Sequence, residues 1–213
     1  MSDKITIKIG VIADQTGALS IMGAGQANLA TLVVDEMNAS GGLLGRDVEL
    51  IIEDSATDDE QAAAAATKLV QDDHVDVLLG GIFSSTRQAI KQPAVVEGET
   101  LYIYPEQYEG QEYHPLLFCT GAVPAQQVEP LIPWVMQQTG ARTFYLPSAD
   151  YIWPHVMNRK VQSTRSGRRS SRSAWAARTG AGPHVQHILD KTGARTRTAA
   201  TVWAFERHLV PSA

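Results

Sequence analysis

"ITIKIGVIADQTGALSIMGAGQANLATLVVDEMNASGGLLGRDVELIIED", residues 5–54, decides the fold. From Ile5 to Ala13 the side chains first alternate apolar and polar, then run apolar, the pattern of a strand entering a core. Residues 14–26 read as a glycine-rich loop. Residues 27–40 carry Leu29, Leu32, Val33 and Met37 at helical spacing, and "GGLLG" follows, with glycine where a helix C-terminus favours it. Residues 47–54 read as a second strand. A strand–helix–strand run of this length is the unit of a parallel sheet, because parallel strands need a crossover.

The same order continues downstream. Residues 57–73 predict a helix with acidic side chains in its first turn, the favourable end of the dipole, and an alanine run of high helix propensity. Residues 75–81 predict a strand. Residues 84–92 predict a helix that Ser84, Ser85 or Thr86 caps and Pro93 ends or kinks. Strands are expected at 100–104, 116–120 and 142–148, and helices at 124–140 and from 155 to 162. The fold class is therefore α/β, a doubly wound parallel sheet. Such sheets bind ligands beyond the carboxyl ends of their strands. Four segments fall there: 14–26, 81–87, 104–115 and 148–154. The third, "YPEQYEGQEYHP", combines three tyrosines with three glutamates, too polar for a core and too aromatic for a plain solvated loop.

Charge divides the chain. Residues 1–162 hold 9 basic and 21 acidic side chains, net −12, whereas residues 163–213 are net +7. The run 163–182 is dense in Arg, Ser, Ala and Gly without apolar periodicity, so the segment 163–213 reads as an aberrant or disordered basic tail. A shifted reading frame in a GC-rich gene produces such a composition. Residues 184–194 again look like a helix. A nucleic-acid arm is disfavoured, because Trp175 is the only aromatic in the run 163–182. No stretch is long and apolar enough to insert in a membrane, and no signal peptide is visible at "MSDKITIKIG". Cys119, the single cysteine, excludes an internal disulfide and a cysteine-cluster metal site.

Catalytic motifs are missing. Neither a G-x-S-x-G elbow nor an H-E-x-x-H helix occurs, and the six histidines are scattered. "GAGQAN" (23–28) invites a dinucleotide-binding reading, and Glu53 and Asp54 end the second strand as a ribose-binding acid would. The third glycine is missing, however, and the first strand is too far away for the tight turn. No catalytic residue, metal ligand or cofactor is expected, and a nucleotide-binding Rossmann-type enzyme is the weakest reading.

From "KIGVIADQTGALSIMGAGQANLATLVVDEMNASGGLLGRDVELIIEDSATD" onward, the chain resembles type I periplasmic solute-binding proteins. "YPEQYEGQEYHP" and "SADYIWPHVMN" resemble its amide- and urea-binding branch. The resemblance covers about residues 5–162. It implies a two-lobed clamshell: lobe one at 1–120, the start of an incomplete lobe two at 121–162, and a chain truncated or frame-disrupted beyond. A chain with one open lobe is then expected to hold a small amide no tighter than millimolar. The implied function is that of an ABC-transporter receptor for a urea, a short amide or a related amino compound, with a transporter permease as partner. The alternative is a cytoplasmic amide sensor acting through a regulatory protein. Localisation is periplasmic or extracytoplasmic by resemblance, with the cytoplasm left open.

Residue chemistry nominates Ser84 and Ser85 as ligand-binding residues, and the resemblance adds weight to Ser84 and nominates Tyr104, Glu106, Tyr151 and Trp153. Ser84 and Ser85 stand at a helix start, where hydroxyl and N–H groups suit an anion or a carbonyl oxygen, or simply cap the helix. Tyr104 matches a ligand wall, or merely closes a buried strand. Glu106 replaces a small hydroxyl residue of the amide sensor. A carboxylate there accepts from NH₂ donors and repels a free carboxylate, unless it faces solvent. Tyr151 and Trp153 match paired aromatics that close over the ligand, or belong to an apolar loop end.

Overall fold

The computed structural model describes residues 6–166. The basic tail expected beyond residue 162 therefore lies almost wholly outside the described residues. The chain divides between Pro130 and Leu131 into two compact units.

The first unit is built on a five-stranded parallel sheet in the order β2-β1-β3-β4-β5. The strands are β1 (Ile7–Ala13), β2 (Val48–Asp54), β3 (Val77–Gly80), β4 (Leu101–Tyr104) and β5 (Leu117–Cys119). The register aligns Ile9 with Leu50 on one side and with Val77 on the other. Helix α1 (Ser20–Ala39) connects β1 to β2, α2 (Asp59–Gln71) connects β2 to β3, and α3 (Ser84–Lys91) connects β3 to β4. The chain leaves β1 toward β2, then crosses back past β1 to β3, so right-handed crossovers place α1 and α2 on opposite faces.

Period-2 alternation divides β1 between two cores. Ile12 joins Ala62, Ala65, Ala66, Leu69 and Leu78 in the larger core under α2 and α3. Val11 and Ala13 face the other way, against Ala27 of α1. The alanine run serves α2 doubly, as a strong helix former and as a flat face that lets the helix lie close to the sheet. Asp58 caps α2, accepting the Gln61 N–H at 2.9 Å, a contact worth about 1 kcal/mol.

Three differences from the sequence reading have physical causes. Helix α1 begins at Ser20, inside the stretch expected to be a loop. Gly23 is a packing residue of the helix, because a Cβ there would lie 2.1 Å from the Asp14 carbonyl oxygen. Residues 142–148 form no strand. Their alternation imitates one, but a strand needs a partner, and no pairing among the described residues involves them. Pro93 ends the α-helix as expected, with α3 closing at Lys91, but the chain does not leave helical geometry there, since residues Gln92–Glu97 continue as a π-helical turn. Proline sits at the start of that turn, where a missing N–H matters least.

In the second unit, the end of helix α4 (Pro124–Thr139) is followed by α5 (Ile152–Ser166). Among the described residues no helix is long and apolar enough to cross a membrane.

Candidate functional site

The strand order reverses between β1 and β3, and the carboxyl edge of this switch point is where an open parallel sheet leaves a crevice. Gly80 ends β3 there with φ of +126°, and a Cβ would lie 2.0 Å from the Ile12 carbonyl oxygen. Only glycine takes that backbone and that approach. It sends the chain out of the sheet into Ile82 and Phe83 and then into α3.

Helix α3 starts differently from expectation. Its N-cap is Phe83, with no side-chain capping bond, so Ser84, Ser85 and Thr86 lie inside the first turn rather than capping it. Ser84 is 3% exposed and donates its hydroxyl to Glu109 Oε1 at 2.6 Å. Thr86 is buried and donates to Asp59 Oδ1 at 3.1 Å. Ser85 is half-buried. The first-turn N–H groups, which no preceding carbonyl can satisfy, stand at the same edge.

Tyr104 ends β4 fully buried and donates its hydroxyl to the Ile82 carbonyl at 2.7 Å. Burial raises its pKa to about 12, against a lowering by Arg87. Neighbouring Tyr102 does the same with Gly80, donating at 3.0 Å. The two phenols thus hold the β3–α3 connection against β4.

The loop after Tyr104 is fastened at two places. Near its start, Thr120 N–H donates to the Tyr104 carbonyl at 3.0 Å, and Tyr108 N–H to the Ala122 carbonyl at 3.4 Å. Gly121 permits this, as a Cβ would lie 2.0 Å from the Glu106 carbonyl oxygen. Further on, Arg87 reaches from α3 to Glu109 Oε2 at 2.8 Å and to Glu112 Oε1 at 3.2 Å. Lys91, one turn along, pairs with Glu112 Oε2 at 2.8 Å. Two cations and two carboxylates thereby balance in a nearly dry cluster, the arrangement that buried charge requires. Desolvation pushes the Glu112 carboxyl up, but Lys91 and Arg87 outweigh it and leave its pKa lowered. Sequence reasoning missed this cluster. Its trace is Arg87 and Lys91 at i and i+4, facing Glu109 and Glu112 spaced by three.

Glu106, held by that loop, lies over α1. It accepts from Gln26 Nε2 at 3.3 Å, while the Gln26 Oε1 atom is buried without a partner. Both residues stand at one end of a cavity of about 390 Å³ on the α1 face of the sheet. Asp14, at the end of β1, is fully buried and accepts from the Ser55 hydroxyl. Desolvation raises its pKa despite that bond.

Ser84, Ser85, Tyr104 and Glu106 are thus gathered on one sheet edge of the first unit. Tyr151 and Trp153 belong to the second. Tyr151 is 37% exposed and precedes α5, and Trp153 is half-buried in its first turn. Asp150 holds this turn through His155 Nε2 at 2.8 Å, and Asn158 donates to Ser148 Oγ at 2.9 Å. Among the described residues no cluster of His, Cys, Asp and Glu is placed to hold a metal ion.

Comparison with known proteins agrees with this architecture. A Leucine-, isoleucine-, valine-, threonine-, and alanine-binding protein of Pseudomonas aeruginosa is 36% identical over 83 residues, 39% of this chain and 22% of that protein. A Leu/Ile/Val-binding protein of Rhizobium johnstonii is 42% identical over 66 residues, 31% of this chain and 18% of that protein. Each match therefore spans about a fifth of the curated relative. Among solved structures, an ABC transporter substrate-binding protein from Sphaerobacter thermophilus superposes with a TM-score of 0.65 at 26% identity, over 88% of this chain and 53% of that one. The family model described as Periplasmic binding protein domain matches residues 7–174, most of the chain, and the chain belongs to that family.

Proposed function

We propose that this chain is the binding part of an ABC-transporter solute receptor. Its ligand is a small polar molecule rich in N–H donors: a urea, a short amide or a related amino compound. The observation that carries the ligand class is Glu106. Its carboxylate stands at the switch-point edge, and Oε2 has no partner among the described residues. An acceptor-only group in that place favours NH₂ and repels a carboxylate. Ser85 and the first-turn N–H groups of α3 then serve the ligand's carbonyl oxygen, Tyr104 backs them, and Ser84 keeps Glu109 in place. Tyr151 and Trp153 are proposed as the aromatic cover from lobe two. Binding is non-catalytic, the compartment is extracytoplasmic, and the macromolecular partner is a transporter permease.

A second reading is supported by the curated relatives, whose names state Leu, Ile and Val as ligands. The test is a titration of the ¹⁵N-labelled chain with urea, acetamide and L-leucine, followed at the backbone amides of Ser85, Thr86 and Glu106. Shifts with acetamide or urea alone support the N–H-donor reading. Shifts with leucine alone support the second. Hydrolysis of either amide by the purified protein would sink both.

A further inference from the structure

The cavity beside Glu106 continues away from the crevice. Its walls are Ile9 and Val11 of β1, Leu29 and Val33 of α1, Leu50 of β2 and Leu79 of β3. These are apolar, and the polar groups Gln26 and Glu106 stand together at the crevice end. From Gln26 to Met37, which also lines it, α1 runs about 16 Å at 1.5 Å per residue. Leu29 and Val33 are 61% and 45% exposed, so the groove is open to a ligand along its length. The form is that of a small-molecule site: apolar walls with a few convergent polar groups that fix orientation.

The polar end has a definite chemistry. Gln26 spends its donor on Glu106 Oε1, and its own oxygen is buried and unpartnered. Glu106 Oε2 is a further acceptor. One buried acceptor without a donor, with a carboxylate beside it, complements a head group that brings N–H bonds.

We propose that the site takes an N–H-bearing head with an unbranched apolar tail, such as a medium-chain amide or amine. The head sits on Glu106 and Gln26, and the tail lies along the groove between α1 and the sheet. This rests on the reading of Glu106 as the ligand's acceptor and extends it from short amides to tailed ones.

The test titrates the ¹⁵N-labelled 213-residue chain with acetamide, hexanamide and hexanoate. Hexanamide is expected to shift the amides of Gln26, Leu79 and Glu106, and to bind about tenfold or more tighter than acetamide, because its extra methylenes leave water. Hexanoate carries a similar tail and is expected to fail, repelled by Glu106. In Val33→Gln and Leu29→Gln, two exposed positions on the groove wall, the hexanamide-to-acetamide affinity ratio is expected to fall toward one. Equal affinity for acetamide and hexanamide in the unaltered chain overturns the tail and leaves the short-amide reading standing. No shift at Glu106 with any amide overturns that reading and the tail with it. Shifts along α1 that follow protein concentration without ligand mean that a second copy fills the groove, and also overturn the proposal.

Discussion

The guanidinium carbon of Arg87 lies 4.9 Å from the centroid of the Tyr104 ring, with Tyr108 5.8 Å away. One buried cation thus ties the first turns of α3, the end of β4 and the loop behind it into a single body. Desolvation works against its charge, and Glu109 and Glu112 more than compensate, leaving its pKa raised. The loop that presents Glu106 is therefore held in place before any ligand arrives, which lowers the ordering cost of binding.

Arg87→Ala leaves Glu109 without a cation in a nearly dry site, while Glu112 keeps Lys91. The expected loss of stability is about 3–5 kcal/mol, the range for breaking one side of a buried pair. Adding Glu109→Gln to Arg87→Met should recover part of that loss, since Glu109 is then neutral and Glu112 still pairs with Lys91. Thermal unfolding midpoints of the variants check both statements. A single substitution costing under about 1 kcal/mol would show that the cluster is hydrated.

Glu112 makes the cluster pH-dependent. Its folded pKa is lowered by Lys91 and Arg87 against desolvation, so its contribution is fully present above the unfolded-chain value of about 4.3. It is lost as pH falls through the lower folded value. The fall in stability from about pH 6 toward about pH 3 is expected to be smaller in Glu112→Gln than in the unaltered chain. Parallel slopes in the two proteins would contradict the assignment.

Local chemistry explains which parts of the fold were legible. The acids beginning α2 and the apolar runs of β1 to β4 act through neighbours in sequence, and their signals survive in the chain. The start of α1 did not, because Gly23 looks like a loop glycine until the Asp14 carbonyl is placed against it. Residues 142–148 misled for the opposite reason, as alternation states a preference and pairing decides it. At the site, Ser84 and Ser85 follow from their place at a helix start, and motif resemblance points to Ser84, Tyr104 and Glu106. The inward direction of Ser84 and Tyr104 depends on Glu109 and Ile82, which no short-range pattern reveals.

Gly23 and Gly25 share the first turns of α1 but should behave oppositely. Gly23→Ala forces a methyl group to 2.1 Å from a backbone oxygen, and overpacking of this kind costs about 1–3 kcal/mol. Gly25→Ala meets no atom within 4 Å and replaces a poor helix former by the best one, a gain of about 1 kcal/mol. Thermal or urea unfolding of the two variants gives the sign directly. A neutral Gly23→Ala would mean that α1 shifts freely away from β1.

Glu106 is the residue on which the ligand class turns, and charge separates its role from its shape. Glu106→Ala removes the acceptor, so a ligand with NH₂ donors is expected to lose affinity: by about 1.5–3 kcal/mol, the range for hydrogen bonds to a charged group, where a second lobe closes over the site, and by little in a chain with one open lobe. Glu106→Gln keeps size and one acceptor but loses the charge. Amide affinity should then fall less than in the alanine variant, and a carboxylate ligand such as L-leucine should gain, because the like-charge repulsion is gone. The Gln26 Oε1 atom gives an internal control: it is buried and unpartnered beside Glu106, and the side-chain NH₂ that Glu106→Gln introduces can donate to it. Glu106→Gln is therefore expected to match or exceed the unaltered chain in stability while its ligand preference shifts toward carboxylates. Titrations of both variants with acetamide and L-leucine, paired with thermal unfolding in the absence of ligand, separate the two effects. If leucine affinity stays the same in Glu106→Gln and in the unaltered chain, the carboxylate of Glu106 does not face the ligand, and selection must lie elsewhere on the edge.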